Sequence, residues 1–327
     1  MRLLLLPVLV YCAVASAMPS PDCPPNTGVA LQVLGSGGPI ADDGRASSSY
    51  VIWVNGKSRV LIDAGGGAFL RFGEAGASFA DLDFVGLSHF HTDHSADLPA
   101  LLKSGNFSSR KRNLVVAGPD AGGPFPGLED WLAALLARDN GAFGYLRGYL
   151  DGSGGLVRLL RSEVAERGVT RVLDTESVAV DAMHVPHGIV PALAFRVTAD
   201  GKTLVFASDQ NGSNEAFRDF ARGADVLVMH LVIPEDATGV ATRLHAKPSI
   251  VGHIAGDAQP AVLLLSHFMA RSLANLEGNV AKVRDAYDGE IVLASDLACI
   301  VPDQAVSMAS PASRQATMPP DSERTSR

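Results

Sequence analysis

Apolar and polar residues along the chain fall into short runs. The stretches 29–34, 49–54 and 59–62 have strand length and strand composition, and Asn55-Gly56 supplies the turn of a tight hairpin between the last two. Residues 84–87 form a short apolar run of the kind buried on both faces, and helical spacing follows over about 96–103. Val115 and Val116 start another strand. From 124 to 168 the period changes. Trp131, Leu132, Leu135 and Leu136, then Leu156, Leu159 and Leu160, recur at helical intervals between glycine-rich links, which predicts a helical insertion. Strand patterns resume at 177–182, 192–197 and 203–207, and again at 225–228, 262–266 and 291–294. Helical spacing covers 214–221, 248–255 and 276–286. Strand meanders followed by strands alternating with helices predict an α/β layered domain.

The two ends depart from this pattern. A positive start, Met1-Arg2, precedes an apolar run over 3–15, and Ala15-Ser16-Ala17 has the small-x-small form that a signal peptidase cuts. The run is too short for a standard membrane span, and no later segment is long and apolar enough. Tyr11 is too bulky for a lipoprotein cleavage site before Cys12. The expected organisation is a signal peptide at 1–17, an irregular Pro-rich leader at 18–27, a folded domain at 28–302 and a disordered Ser-, Pro- and Ala-rich tail at 303–327. The expected location is a periplasm or the exterior. Outside the signal segment two cysteines are left, Cys23 and Cys299; in an oxidising compartment they either bridge the ends of the domain or stand as unrelated thiols.

Charge narrows the partners. The net charge is −8, one unit more acidic once Arg2 is removed, and there is no basic block. Polynucleotide binding rests on phosphate neutralisation by Lys and Arg, so a nucleic-acid partner is disfavoured and a small-molecule substrate expected. A homodimer is compatible with the reading, and no stable membrane span is left after signal cleavage.

The densest chemistry is Ser88-His89-Phe90-His91-Thr92-Asp93-His94, directly after the run ending at Leu87. In extended chain His89 and His91 point the same way, so their imidazoles converge on one ion. A turn then redirects Asp93 and His94 to a second position, with Asp97, Leu98, Leu101 and Leu102 fitting a helix that anchors the loop. One loop cannot complete two sites that each need four to five ligands. Distant candidates stand at strand ends: His184, His187, Asp209, His230, His245 and His267.

On these residues the sequence resembles a metallo-β-lactamase-fold hydrolase, in the ribonuclease Z-like or arylsulfatase-like branch, over roughly residues 29–300. Its anchors are Gly35-Ser36-Gly37-Gly38-Pro39, Ile62-Asp63-Ala64-Gly65, the His/Asp cluster, Ser208-Asp209, His245-Ala246-Lys247-Pro248-Ser249 and Leu265-Ser266-His267-Phe268 with Arg271. The resemblance implies an αββα sandwich carrying two divalent ions, zinc first and manganese or iron as alternatives. It implies that His89, His91 and His187 hold one ion, that Asp93, His94 and His267 hold the other, and that Asp209 bridges them. His187, not His184, has the family's spacing to the following Val190-Pro191-Ala192 strand. Asp93 is implied to orient a metal-activated water, His245 to donate a proton to the leaving oxygen, and Asp63 to steer a ligand imidazole. His230 stands where relatives carry a glutamate supporting the donor histidine; it either takes that part as a neutral imidazole or caps a strand.

The departures bear on substrate. Ser95-Ala96-Asp97 replaces an early glycine, Gln210 replaces a threonine after the bridging Asp, and Ala194-Phe195 replaces Gly-Tyr. The segment 118–168 lacks the basic, Gly-Pro-rich arm that ribonuclease Z uses to hold transfer RNA. The leading expectation is therefore an exported dinuclear-metal hydrolase of small esters, phosphodiesters or aryl sulfates first. The alternatives are a β-lactamase or lactonase, a ribonuclease Z-type endonuclease and a non-catalytic metal-binding module.

Overall fold

The computed structural model describes Cys23 and residues 28–165 and 167–302. The expected signal peptide, the leader apart from Cys23, and the tail lie outside the described residues. The first half runs β1 (Val29–Gly35), β2 (Ser49–Val54), β3 (Lys57–Ile62), α1 (Ala68–Glu74), β4 (Phe84–Gly86), α2 (Thr92–Ser95), α3 (Leu98–Gly105), β5 (Leu114–Pro119), α4 (Leu128–Leu136), α5 (Gly148–Asp151) and β6 (Leu159–Val164). The second runs β7 (Val169–Asp174), β8 (Val178–His187), β9 (Val190–Ala199), β10 (Lys202–Phe206), α6 (Ala216–Ala221), β11 (Val226–His230), α7 (Val240–Leu244), α8 (Pro248–Ala258), β12 (Val262–Ser266), α9 (Ala270–Leu273), α10 (Leu276–Arg284), β13 (Glu290–Leu293) and β14 (Cys299–Ile300).

Among the described residues the strands form two seven-stranded sheets, ordered β14-β1-β2-β3-β4-β5-β6 and β13-β12-β11-β10-β9-β8-β7. Alternation along single strands shows why two sheets and two helical layers result. On β2, Tyr50, Ile52 and Val54 join the core between the sheets, while Val51 joins the core under α1, α3, α4 and α5. On β3, Val60 and Ile62 face inward and Leu61 faces the helices. A strand apolar on both faces must be covered on both, which gives the αββα order. The second sheet is covered outside by α6, α8 and α10, through Phe217, Val251, Ile254 and Val283.

Strand direction positions the site. β10, β11, β12 and β13 pair in parallel, and so do β3, β4, β5 and β6. The carboxyl ends within each set therefore share one edge of their sheet, and the loops leaving them meet at one rim of the sandwich. The predicted hairpin turn takes the left-handed conformation at both Asn55 and Gly56.

The segment 124–168 is not wholly helical. Leu128, Leu132 and Leu136 do form the buried stripe of α4, but Leu159 belongs to β6, paired in parallel with β5. Three leucines at helical intervals are too few to separate helix from strand, and glycines at positive φ (Gly152, Gly154, Gly155) end the helical stretch. The free edge of β5 supplied hydrogen-bond partners that local spacing does not reveal. β7 and β14 were likewise not read from the pattern. Cys23 and Cys299 are disulfide-bonded, which resolves the two readings of these thiols and ties the start of the domain to β14 at the sheet edge.

Candidate metal centre

The loop after β4 carries the dense cluster. His91 is still extended (φ −61°, ψ 148°) and caps α2, a single turn that swings Asp93 and His94 away from His89 and His91. The loop is clamped from β3: Ala64 N–H donates to His94 O at 2.8 Å, and Asp97 N–H donates to Ala64 O at 2.9 Å. Gly65 is required by this approach, since a Cβ there would stand 2.1 Å from Asp93 O. Asp97 Oδ2 accepts from the N–H groups of Gly67 and Phe69, both at 2.9 Å, tying the loop to the start of α1.

Three side-chain-bearing residues at the rim adopt the left-handed conformation without being glycine: Asp63 (φ 59°), Ser208 (φ 57°) and His267 (φ 55°). They follow β3, β10 and β12, and such backbone is held only where surrounding contacts over-determine it. Each sharp turn aims its own or the next side chain, Asp63, Asp209 or His267, into the rim.

The side chains expected from the sequence come together here. His89, His91 and His187 bring one ligand atom each within 4.8 Å of one another, and so do Asp93, His94 and His267. Asp209 lies between the two groups. Its Oδ2 is 3.7 Å from Nε2 of both His94 and His187, and its Oδ1 is 3.6 Å from His267 Nε2. Imidazole nitrogens face one another: His89 Nε2 is 3.0 Å from His91 Nδ1, and His94 Nε2 is 3.1 Å from His267 Nε2. His187 Nε2, His245 Nδ1 and His267 Nδ1 are buried without a hydrogen-bond partner. Imidazole nitrogens turned on one another at a buried rim, with a carboxylate among them, suit divalent cations, and this donor set fits the metals the resemblance implies.

The opposite ring nitrogens are fixed by protein groups. His94 Nδ1 lies 2.7 Å from Asp63 Oδ2, and Asp63 also accepts from Ser88 N–H at 2.7 Å and Ser88 Oγ at 2.8 Å. His89 Nδ1 is 3.1 Å from Ser88 Oγ. His187 Nδ1 lies 2.8 Å from Leu244 O, so this nitrogen carries the proton and Nε2 is left a lone pair. Burial, reinforced by neighbouring histidines, holds His89 well below the ordinary imidazole range and lowers His91. For His94 burial opposes protonation, but Asp63, Asp93 and Asp209 outweigh it and raise it to about 9. Burial also opposes ionisation of Asp209, yet His267, His245 and the His230 hydrogen bond hold it well below the carboxylate range.

His184 and His187 separate on β8. His184 Nε2 bonds Val164 O at 2.8 Å and stands 3.6 Å from Asp120, away from the cluster. His253 bonds Ser249 O on the surface of α8. His230 does not support His245: its Nδ1 lies 2.7 Å from Asp209 Oδ1. A cavity of about 480 Å³ opens over the cluster, lined by Phe90, Leu244, His245, Met269 and Arg271 beside the candidate ligands. Burial holds His245 down at about 3, with Asp209 opposing. Arg271 is fixed by its Nε, which donates to Val232 O at 3.0 Å. Ser88 heads the sequence motif without a role of its own there, and the Leu244 carbonyl has no sequence signal; a serine beside a histidine says little and a backbone carbonyl nothing.

A family model described as a β-lactamase superfamily domain matches residues 58–268. Ribonuclease Z of Mycobacterium marinum is 29% identical over 283 residues, covering 82% of this chain and 97% of that protein. Ribonuclease Z of Mycobacterium bovis is 31% identical over 211 residues, covering 63% of this chain and 71% of that protein. The crystal structure of the short form of human tRNase Z superposes with a TM-score of 0.64 at 18% identity, over 83% of this chain and 98% of that one.

Proposed function

The chain belongs to the β-lactamase superfamily as a ribonuclease Z-like protein with a metallo-β-lactamase fold, and on that premise we propose that it is a dinuclear hydrolase of small phosphodiesters. At the coarser level it is a metal-dependent hydrolase of ester bonds. The observation that supports the finer reading is Asp209, whose two oxygens reach toward both histidine groups, as a carboxylate shared between two ions would. His89, His91 and His187 would hold one ion, Asp93, His94 and His267 the other, and Asp209 both. Zinc is favoured by the imidazole-rich set, with manganese or iron accommodated by the carboxylates. Bound there, divalent ions supply an acidified water and neutralise charge developing on oxygen.

The chain's own groups divide the remaining work. The Asp93 carboxylate, 3.2 Å from His267 Nε2 and lining the cavity, is placed to orient the attacking water and accept its proton. His245, on the cavity wall, is placed to protonate the leaving oxygen once an anionic substrate stands beside it. The Arg271 guanidinium on the same wall complements the charge of a phosphodiester or sulfate. The cavity volume, the acidic net charge and the folding of residues 128–164 onto the first sheet as α4, α5 and β6 support a small substrate over transfer RNA. The Cys23–Cys299 disulfide supports export, because such bonds persist in oxidising compartments.

The test is a substrate panel on metal-defined protein. Hydrolysis of bis-p-nitrophenyl phosphate, lost with chelator and restored by zinc, is the expected result. Activity that survives chelation overturns the mechanism. The similarity along 97% of a ribonuclease Z favours RNA cleavage as the second reading, and faster turnover of a precursor tRNA than of the small ester selects it. Turnover of p-nitrophenyl sulfate or of nitrocefin marks the sulfatase and β-lactamase alternatives.

A further inference from the structure

His230 closes β11 and is buried behind Asp209, and it does not line the cavity. Its Nδ1 lies 2.7 Å from Asp209 Oδ1, and its Nε2 lies 3.4 Å from Tyr50 Oη. Tyr50 Oη is held in turn at 2.8 Å from Ser266 Oγ, at the end of β12. An ionised carboxylate can only accept, so the proton of this imidazole sits on Nδ1, and Nε2 packs against the tyrosine oxygen, whose own proton goes to Ser266 Oγ. Both ring nitrogens therefore face protein partners. His230 lies close to Asp209 and His267, but its protonated Nδ1 is taken by Asp209 and its Nε2 faces Tyr50.

Resting on the dinuclear reading above, we propose that His230 is a positioning residue that sets the rotation of the Asp209 carboxylate, with Tyr50 holding the imidazole in place. With Oδ1 engaged by the Nδ1 proton, Oδ2 is turned toward His94 and His187, one candidate ligand from each group. Without that proton the carboxylate is free to rotate about its terminal torsion, which is broad and two-fold. A carboxylate side chain at 230 would face Asp209 with no proton to give. The imidazole is thus matched to the carboxylate it holds, and its effect on the ions passes through Asp209.

Two amide variants separate this role from the others. In His230→Asn the side-chain N–H falls where Nδ1 was; in His230→Gln it falls nearer Nε2 and misses Asp209. The readouts are zinc affinity by competition with a chromophoric chelator and the visible absorption of the cobalt-substituted protein. His230→Gln is expected to bind about 10–100-fold more weakly with an altered cobalt spectrum, and His230→Asn to stay within about threefold of wild type. Equal affinities for the two variants, whether strong or weak, overturn the proposal, as does a stronger His230→Gln. Should neither fold by circular dichroism, Tyr50→Phe carries the test. It is expected to weaken zinc binding by about fivefold, less than the ~10–100-fold of a group bonded to a ligand because Tyr50 acts one step further out, and wild-type affinity in it overturns the proposal. Wild-type protein that takes up no metal overturns the dinuclear reading and this inference with it; variants that differ in the wrong order overturn this inference alone.

Discussion

Replacing Asp63 with asparagine changes one atom, and the structure says what that atom does. Asp63 Oδ1 accepts from the Ser88 N–H at 2.7 Å, so the amide oxygen of an asparagine must take that place. Its NH2 then points at His94 Nδ1, where Oδ2 now stands at 2.7 Å. Two donors cannot face each other, so His94 is driven to the other tautomer, with its proton on Nε2. Nε2 is the atom turned toward His267 and Asp209, the direction of the candidate ion. Backbone strain does not confuse the result, since Asn tolerates the left-handed conformation at 63 as well as Asp does. Losing the carboxylate that supports a ligand histidine lowers metal affinity by about 10–100-fold, or about 1.4–2.7 kcal/mol. The assay is equilibrium competition for zinc against a chromophoric chelator, with a melting curve in chelator as the check on folding. Asp63→Asn protein that folds and binds zinc within twofold of wild type refutes this account of the Asp63–His94 pair.

Other outcomes follow from the same geometry. His187→Ala is expected to lose zinc affinity, whereas His184→Ala keeps it and loses about 1 kcal/mol of stability with the bond to Val164 O; the reverse order, read by metal analysis and denaturant titration, defeats the assignment. His245→Ala is expected to retain metal and KM while kcat on bis-p-nitrophenyl phosphate falls about 10²–10³-fold, and loss of bound zinc instead would make His245 a ligand. In metal-free protein His94 is raised to about 9, so its imidazolium stabilises the fold fully below its ordinary range near 6.5 and that contribution is lost as pH rises through about 9. Melting temperature in chelator should drop over that window, and Asp63→Asn should flatten the drop. Reducing the Cys23–Cys299 bond, which spans 276 residues of sequence, should lower stability by about 2–5 kcal/mol in urea titrations.

The parts of the fold that could be read locally are those whose signal is local. β2 and β12 match the apolar runs to the residue, and Asn55-Gly56 forms the turn its chemistry demands. β8 and β9 are longer than their apolar cores because the hairpin extends through His184, Pro186 and His187 on pairing alone. β6 carries helical leucine spacing yet forms a strand, because its strand character comes from the open edge of β5. The pairing of His89 with the extended His91 and the turn at Thr92–Ser95 are legible because they lie within seven residues of chain. For His230 the sequence leaves open a support of the donor histidine and a cap on a strand; it does end β11, but its ring meets Asp209, a partner that nothing near residue 230 reveals.

The sequence by itself determined the layered class of the domain, the dense histidine and aspartate loop, and the set of distant histidines and aspartate from which the site could be completed. Those properties depend on neighbours a few residues apart, where strand and helix geometry are set by φ and ψ alone. The resemblance already favours His187 over His184 and Asp209 as the bridge; only the tertiary structure decided how they are held, with His184 turned to Val164, His187 fixed by Leu244 O, His230 behind Asp209 beside Tyr50, and Cys23 on Cys299. Each of these follows from the order and register of strands in two sheets, and a register is settled by burial over the whole strand rather than by any residue within it.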